Sequence, residues 1–186
     1  MAERLLRRIL RESMPILLLC SLGGIAAGLL LDDLRLELYK VPGLIILLPA
    51  ILGMRGNISG ALGSRLASAL HLGLIEPCMS WNQTLSDNFL ASMTLNILLS
   101  VSTGVLAWIA YGFTGQTPPA SVVDLTLIAV VAGTLAGILL SILTVLLAIN
   151  AYASGYDPDN ILAPSIATVG DLITVFCLLF AVKIVL

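Results

Sequence analysis

Charge is scarce in this sequence. Nine basic and eleven acidic side chains serve 186 residues, so 11% of the chain is charged, against about 25% in soluble domains. That supply cannot dress a water-exposed surface of this size, which excludes an ordinary cytosolic enzyme. The apolar share of 59% excludes a disordered chain. There is one histidine, His71, so zinc chemistry and a Ser-His-Asp triad have almost nothing to build on. The three cysteines, Cys20, Cys78 and Cys177, lie far apart with no Cys-x-x-Cys or Cys/His spacing. They do not make a disulfide framework, and Cys20 and Cys177 read as small buried hydrophobes. A net charge of −2 offers no basic field for nucleic acid. What the chain has in quantity is hydrocarbon, with a mean hydropathy of +1.06. This is the composition of an all-α integral membrane protein, one domain by length.

A bilayer core needs about 20 mostly apolar residues per helix, and five stretches qualify. Residues 13–31 carry no charge. A second span begins at 41–54 and continues through Arg55 and Arg65, so part of it lies near an interface or inside the protein. The third helix falls at about 89–113, the fourth runs from 125 to about 149, and the fifth covers 161–186, broken only by Asp171 and Lys183. The first span has a basic flank but no small-x-small cleavage site, so it reads as a retained helix and not a signal peptide. Arg4, Arg7, Arg8 and Arg11 precede it, which predicts a cytoplasmic N-terminus and, with five spans, a C-terminus outside. Loops 32–40 and 114–121 then lie outside, and 76–88 and 151–160 inside. Arg35 and Lys40 run slightly against this orientation. Arg55 and Arg65, placed toward the inner end of span two, favour it. Gly24 with Gly28, Gly56 with Gly60 and Gly133 with Gly137 form GxxxG pairs that let helix backbones approach closely.

An ionisable residue at membrane depth is a functional candidate, because an Asp at a helix centre costs about 2.5–3.5 kcal/mol on insertion scales. Asp171 is such a residue, with eleven uncharged residues on either side. On a helix it shares a face with Pro164, Ala167, Thr168, Thr174 and Val175, a small, hydroxylated strip with room for water. Either Asp171 carries ions or protons, or it caps a helix or pairs with Arg55 or Arg65. In the second span, Asn57, Gly60, Ala61 and Ser64 share one helical face, a polar path or a packing surface. Pro49 before Gly56-Asn57 is echoed by Pro164 before Gly170-Asp171, which suits two similar helices meeting at one site. In the loop before span five, Asp157, Asp159 and Asn160 form a turn and helix N-cap. The same carboxylates can also attract cations to the mouth of a pathway.

The order of these features resembles the MgtE family of divalent-cation channels. A proline-bearing helix runs into Gly56-Asn57, a cytoplasmic turn follows at 157–160, and then comes Pro164-Ser165-Ile166-Ala167-Thr168-Val169-Gly170-Asp171. The segment PAILGMRGNISGALGSRL is most similar to the eukaryotic solute-carrier magnesium transporters. The resemblance covers nearly the whole chain. It implies a homodimer of five-helix subunits, or a heterodimer with a sister chain, with a pore at the two-fold interface lined by the second and fifth helices. It further implies that Asp171 binds hydrated Mg2+ as the transported ion, with Ala167 one turn earlier offering backbone oxygen and Asn57 lining the path. Gly56, Gly60, Ser64, Thr168 and Thr174 would line the pore, in a plasma-membrane protein surrounded by lipid. Two departures concern ion preference: Ser59 stands where the eukaryotic relatives often carry an acidic residue, and the bacterial glycine and glutamine after the Asn are missing. Only about twelve residues precede the first span, so the cytoplasmic magnesium-sensing and CBS modules of bacterial relatives are expected to be absent, and residues 1–186 to be a single transmembrane domain.

Magnesium gives up its waters reluctantly and is often held through one or two carboxylates. Two Asp171 side chains on a two-fold axis would set a −2 ring against a +2 ion, and such rings select cations. Two other function classes compete. An intramembrane aspartyl protease needs two catalytic Asp residues on separate helices and a glycine where Thr168 stands; Asp157 and Asp171 lie on one segment. A non-conducting partner subunit is the other alternative.

Overall fold

The computed structural model describes residues 2–33, 35, 39, 41–78, 81–115 and 121–186. Lys40 and residues 116–120, parts of two expected outside loops, lie outside the described residues. Among those described the chain is all-helical, with α1 Ala2–Asp33, α2 Leu44–His71, α3 Gln83–Gly112, α4 Val122–Ala153 and α5 Pro158–Val185. All five are long and apolar enough to cross a membrane. At about 1.5 Å per residue, a helix of 28 residues such as α2 exceeds the roughly 30 Å hydrocarbon core.

The helix starts are written in local chemistry. Asn82 caps α3, its side chain accepting from the backbone N–H of Leu85. Ser121 and Asp124 form a reciprocal capping box on α4. Asp157 caps α5 by accepting from the N–H of Asp159, with Pro158 in the first turn. These caps start α3 and α4 some residues earlier than the apolar runs suggest, because hydropathy registers lipid depth and not the polar first turn.

The core forms where α2 and α4 meet their neighbours. At one end, Leu44, Leu47 and Ile51 of α2 pack with Leu125, Ile128 and Ala132 of α4 and Leu178 of α5. Toward the other, Leu62, Leu66 and Leu70 of α2 meet Val145 and Ile149 of α4 and Leu162 and Ile166 of α5. α3 contributes a buried stripe of small and polar residues, Ser92, Asn96, Ser100 and Gly104. This stripe faces the glycines of α4. A Cβ on Gly133 would collide with Ser100 Oγ, and one on Gly137 would meet the Asn96 amide at 2.7 Å. The other two GxxxG pairs behave differently: at Gly24, Gly28, Gly56 and Gly60 an added Cβ has nothing within 4 Å among the described residues. Only the pair on α4 is used to bring helices together within the chain, and Gly23, outside any of the pairs, is where α1 touches Thr168 of α5.

Of the cysteines, Cys177 is buried, Cys20 half-buried and Cys78 exposed. Cys20 is thus more than an apolar filler: its Sγ donates to the carbonyl oxygen of Pro164 at 3.2 Å, fastening α1 to α5.

Candidate functional site

α5 is apolar along most of its length, and Asp171 sits roughly midway along it. A helical carboxylate in such a run needs a compensating charge or water. The structure supplies a charge: Arg55 Nη2 lies 3.1 Å from Asp171 Oδ1, an ion pair across 116 residues of sequence. Of the two open readings of Asp171, the pairing with Arg55 is therefore realised. Arg65 goes elsewhere, donating to Asn88 Oδ1 at 2.9 Å and Ser92 Oγ at 3.0 Å on α3. Arg55 also departs from its expected place. It is not a charge toward the inner end of the second span but a buried residue of α2 directed at α5, so it carries no topological signal.

The pair is lopsided. The Arg55 side chain is 1% exposed, whereas that of Asp171 is 46% exposed. Arg55 Nε and Nη1 have no hydrogen-bond partner among the described residues. Room for the guanidinium comes from Gly170, where an added Cβ would strike Arg55 Nη1. Gly170-Asp171 thus works as a unit in which the glycine admits the cation and the aspartate meets it. The outer half of the carboxylate remains open to whatever lies beside the chain.

The remaining predicted residues divide into an open set and a packed set. On α2, Asn57, Ala61 and Ser64 are exposed and Gly56 and Gly60 half-buried, leaving a narrow polar strip with small neighbours. On α5, Ala167 is exposed beside Asp171. Thr168 is half-buried and leans on α1, its hydroxyl donating to the Pro164 carbonyl at 3.2 Å and reaching the Cys20 carbonyl at 3.5 Å. Thr174 is fully buried and donates to the Gly170 carbonyl at 2.8 Å. Although Thr174 is one turn from Asp171, the helix face turns inward there, so its hydroxyl does not reach the open side. Val175 is likewise buried. At the start of α5, Asp157 serves as N-cap and stands 3.9 Å from His71 Nε2 of α2, while Asp159 is exposed and Asn160 half-buried. His71 also packs edge-on to Tyr152 of α4.

Among the described residues, no three His, Cys, Asp or Glu side chains come together to hold a metal ion. One carboxylate with open lone pairs cannot enclose a cation, but it can hold one that keeps its waters. An apolar groove of about 560 Å³, lined by residues such as Leu30, Leu139, Phe176 and Phe180, passes Cys177 without including Asp171. Its lining suits hydrocarbon and not a hydrated ion. Arg55 is the site's less obvious member in the sequence: an arginine within an otherwise uncharged helical stretch must also be paired at membrane depth.

Comparison with known proteins adds an independent line. The MgtE family model, described as divalent cation transporter, matches residues 48–181. Solute carrier family 41 member 2 of Mus musculus is 31% identical over 163 residues, covering 84% of this chain and 28% of the relative. The Homo sapiens protein of the same name is 31% identical over 165 residues with the same coverage. Solute carrier family 41 member 3 of Rattus norvegicus is 29% identical over 178 residues, 92% of this chain and 38% of the relative. The chain thus spans about a third of the length of the curated relatives it matches. No solved structure matches it.

Proposed function

Because this chain belongs to the MgtE family of divalent cation transporters, we propose that it carries Mg2+ across the membrane, with Asp171 as the group that meets the ion. Membership makes it a multi-pass membrane transporter and not an enzyme, and the protease alternative falls with it. The finer reading adds a pore at a two-fold interface, lined by α2 and α5, in the plasma membrane. The N-terminus is taken as cytoplasmic on the strength of Arg4, Arg7, Arg8 and Arg11.

One observation carries this reading: a carboxylate midway along a membrane helix whose side chain is 46% exposed. Facing hydrocarbon, that surface would be costly. Facing water and a second copy, it becomes a cation site. The exposed Asn57 and Ser64 on the neighbouring helix need the same polar environment, and the glycines Gly56 and Gly60 beside them leave space that none of the described residues fills. A second copy at this face would bring two Asp171 carboxylates to one axis, each backed by its own Arg55. The site would then be closer to neutral than the −2 ring expected from the sequence, which weakens binding and eases exit of the ion.

The test is uptake of Mg2+ into liposomes containing only this protein. Asp171→Asn removes the charge while keeping an oxygen acceptor for Arg55, and uptake by the folded variant falls by about tenfold or more. Undiminished uptake by a folded Asp171→Asn variant would overturn the assignment. Absence of uptake by the unsubstituted chain alone would favour the partner-subunit alternative.

A further inference from the structure

Arg55 is the only buried charged side chain among the described residues, and its surroundings are not those of a residue whose sole task is to hold two helices together. A structural Arg–carboxylate pair is commonly bidentate and fully used. Here a single Nη2–Oδ1 contact of 3.1 Å joins the partners. Two further donors, Nε and Nη1, are buried without an acceptor among the described residues, and Gly170 is shaped to admit the guanidinium. Arginine keeps its charge in protein interiors. A fixed positive charge therefore stands behind Asp171, on the side away from the carboxylate's open face.

We propose that Arg55 is a tethered counter-cation of the Asp171 site: it neutralises the carboxylate when no metal is present and sets the affinity for a divalent cation low when one arrives. The inference rests on the reading of Asp171 as the cation-binding group. A divalent ion approaching the open face meets a carboxylate already paired and a like charge close behind it. Binding is weaker than to a bare carboxylate, and release is faster. In the empty state the same guanidinium relieves the repulsion that two unpaired carboxylates at a two-fold axis would feel. Arg55 is thus an affinity-setting residue that acts through Asp171 and does not touch the ion.

The experiment measures Mn2+ binding, read by electron paramagnetic resonance and competed with Mg2+, to the full chain in nanodiscs. Arg55→Met removes the charge; Arg55→Gln removes it but keeps a hydrogen-bond donor to Asp171; Arg55→Lys keeps it. The neutral variants are expected to bind Mn2+ about tenfold tighter or more, with slower Mg2+ efflux from preloaded liposomes, and Arg55→Lys to stay near the unsubstituted protein. Asp171→Asn is the control for the site itself. If it binds Mn2+ as the unsubstituted chain does, the Asp171 reading fails, and the inference with it. If it loses binding while a folded Arg55→Met or Arg55→Gln binds no tighter, only the counter-cation role fails. If neither neutral variant folds while Arg55→Lys does, Arg55 is a structural charge, and the proposal is likewise overturned.

Discussion

Arg55 and Asp171 form an ion pair 3.1 Å apart that joins the middle of α2 to the middle of α5, with the arginine 1% and the aspartate 46% exposed. This asymmetry determines what each substitution costs. Removing the aspartate strands a buried cation; removing the arginine leaves a carboxylate that other groups can still reach.

Asp171→Ala is therefore expected to lower stability by about 3 kcal/mol, the low end of the penalty for leaving a buried charge unpaired. Arg55→Met introduced into the Asp171→Ala background should recover most of that loss. Thermal unfolding in detergent measures all corners of the cycle; a double-variant loss equal to the sum of the two single losses would show that the residues are not coupled.

Gly170→Ala places a methyl group where Arg55 Nη1 lies. The far end of a long side chain can shift, so the loss should be about 1–3 kcal/mol and not complete unfolding. Shortening the neighbour should relieve it: Gly170→Ala should cost less in an Arg55→Met background. A cost independent of residue 55 would place the strain elsewhere.

The glycine pairs separate intrachain packing from the proposed interface. Gly133→Ala and Gly137→Ala drive a methyl into Ser100 and Asn96 and should destabilise the fold by about 1–3 kcal/mol each. Gly56→Ala and Gly60→Ala meet nothing within 4 Å among the described residues, so unfolding of the monomer in strong detergent should hardly change. If a second copy packs beside Asn57, the same two variants lower dimer content in mild detergent and slow Mg2+ uptake. Unaltered dimerisation and uptake would remove this face from the interface.

Asp157 tests cap against charge. Asp157→Ala loses the acceptor for the Asp159 N–H and should cost about 1 kcal/mol, whereas Asp157→Asn keeps a cap and should cost much less. Both should slow Mg2+ uptake at low ionic strength if the carboxylate also gathers cations at the mouth. Uptake that follows stability alone would leave only the cap.

The number and order of helices were legible because hydrophobic length is a local property: a run of apolar residues must be helical in lipid, whatever surrounds it. The same logic made Asp171 visible as a lone carboxylate in α5, and Asp157 visible as a cap. Partners were not legible. Sequence reading left Arg55 and Arg65 equally available to Asp171, since both lie on α2. The structure separates them by helical phase, with Arg55 turned toward α5 and Arg65 toward Asn88 and Ser92 of α3. Thr174 was misplaced for a related reason. One turn of sequence proximity puts it beside Asp171, but the packing of α5 against its neighbours turns that part of the helix inward.

By itself, the sequence determined that this is a five-helix membrane protein with one acidic residue deep in its last helix, because the scarcity of charge leaves few places where a charge can matter. Tertiary structure alone decided that this acid is paired, by which arginine, and which half of it stays open. The reason is physical: composition sets what a helix can be immersed in, while the rotation of one helix against another sets which side chains meet.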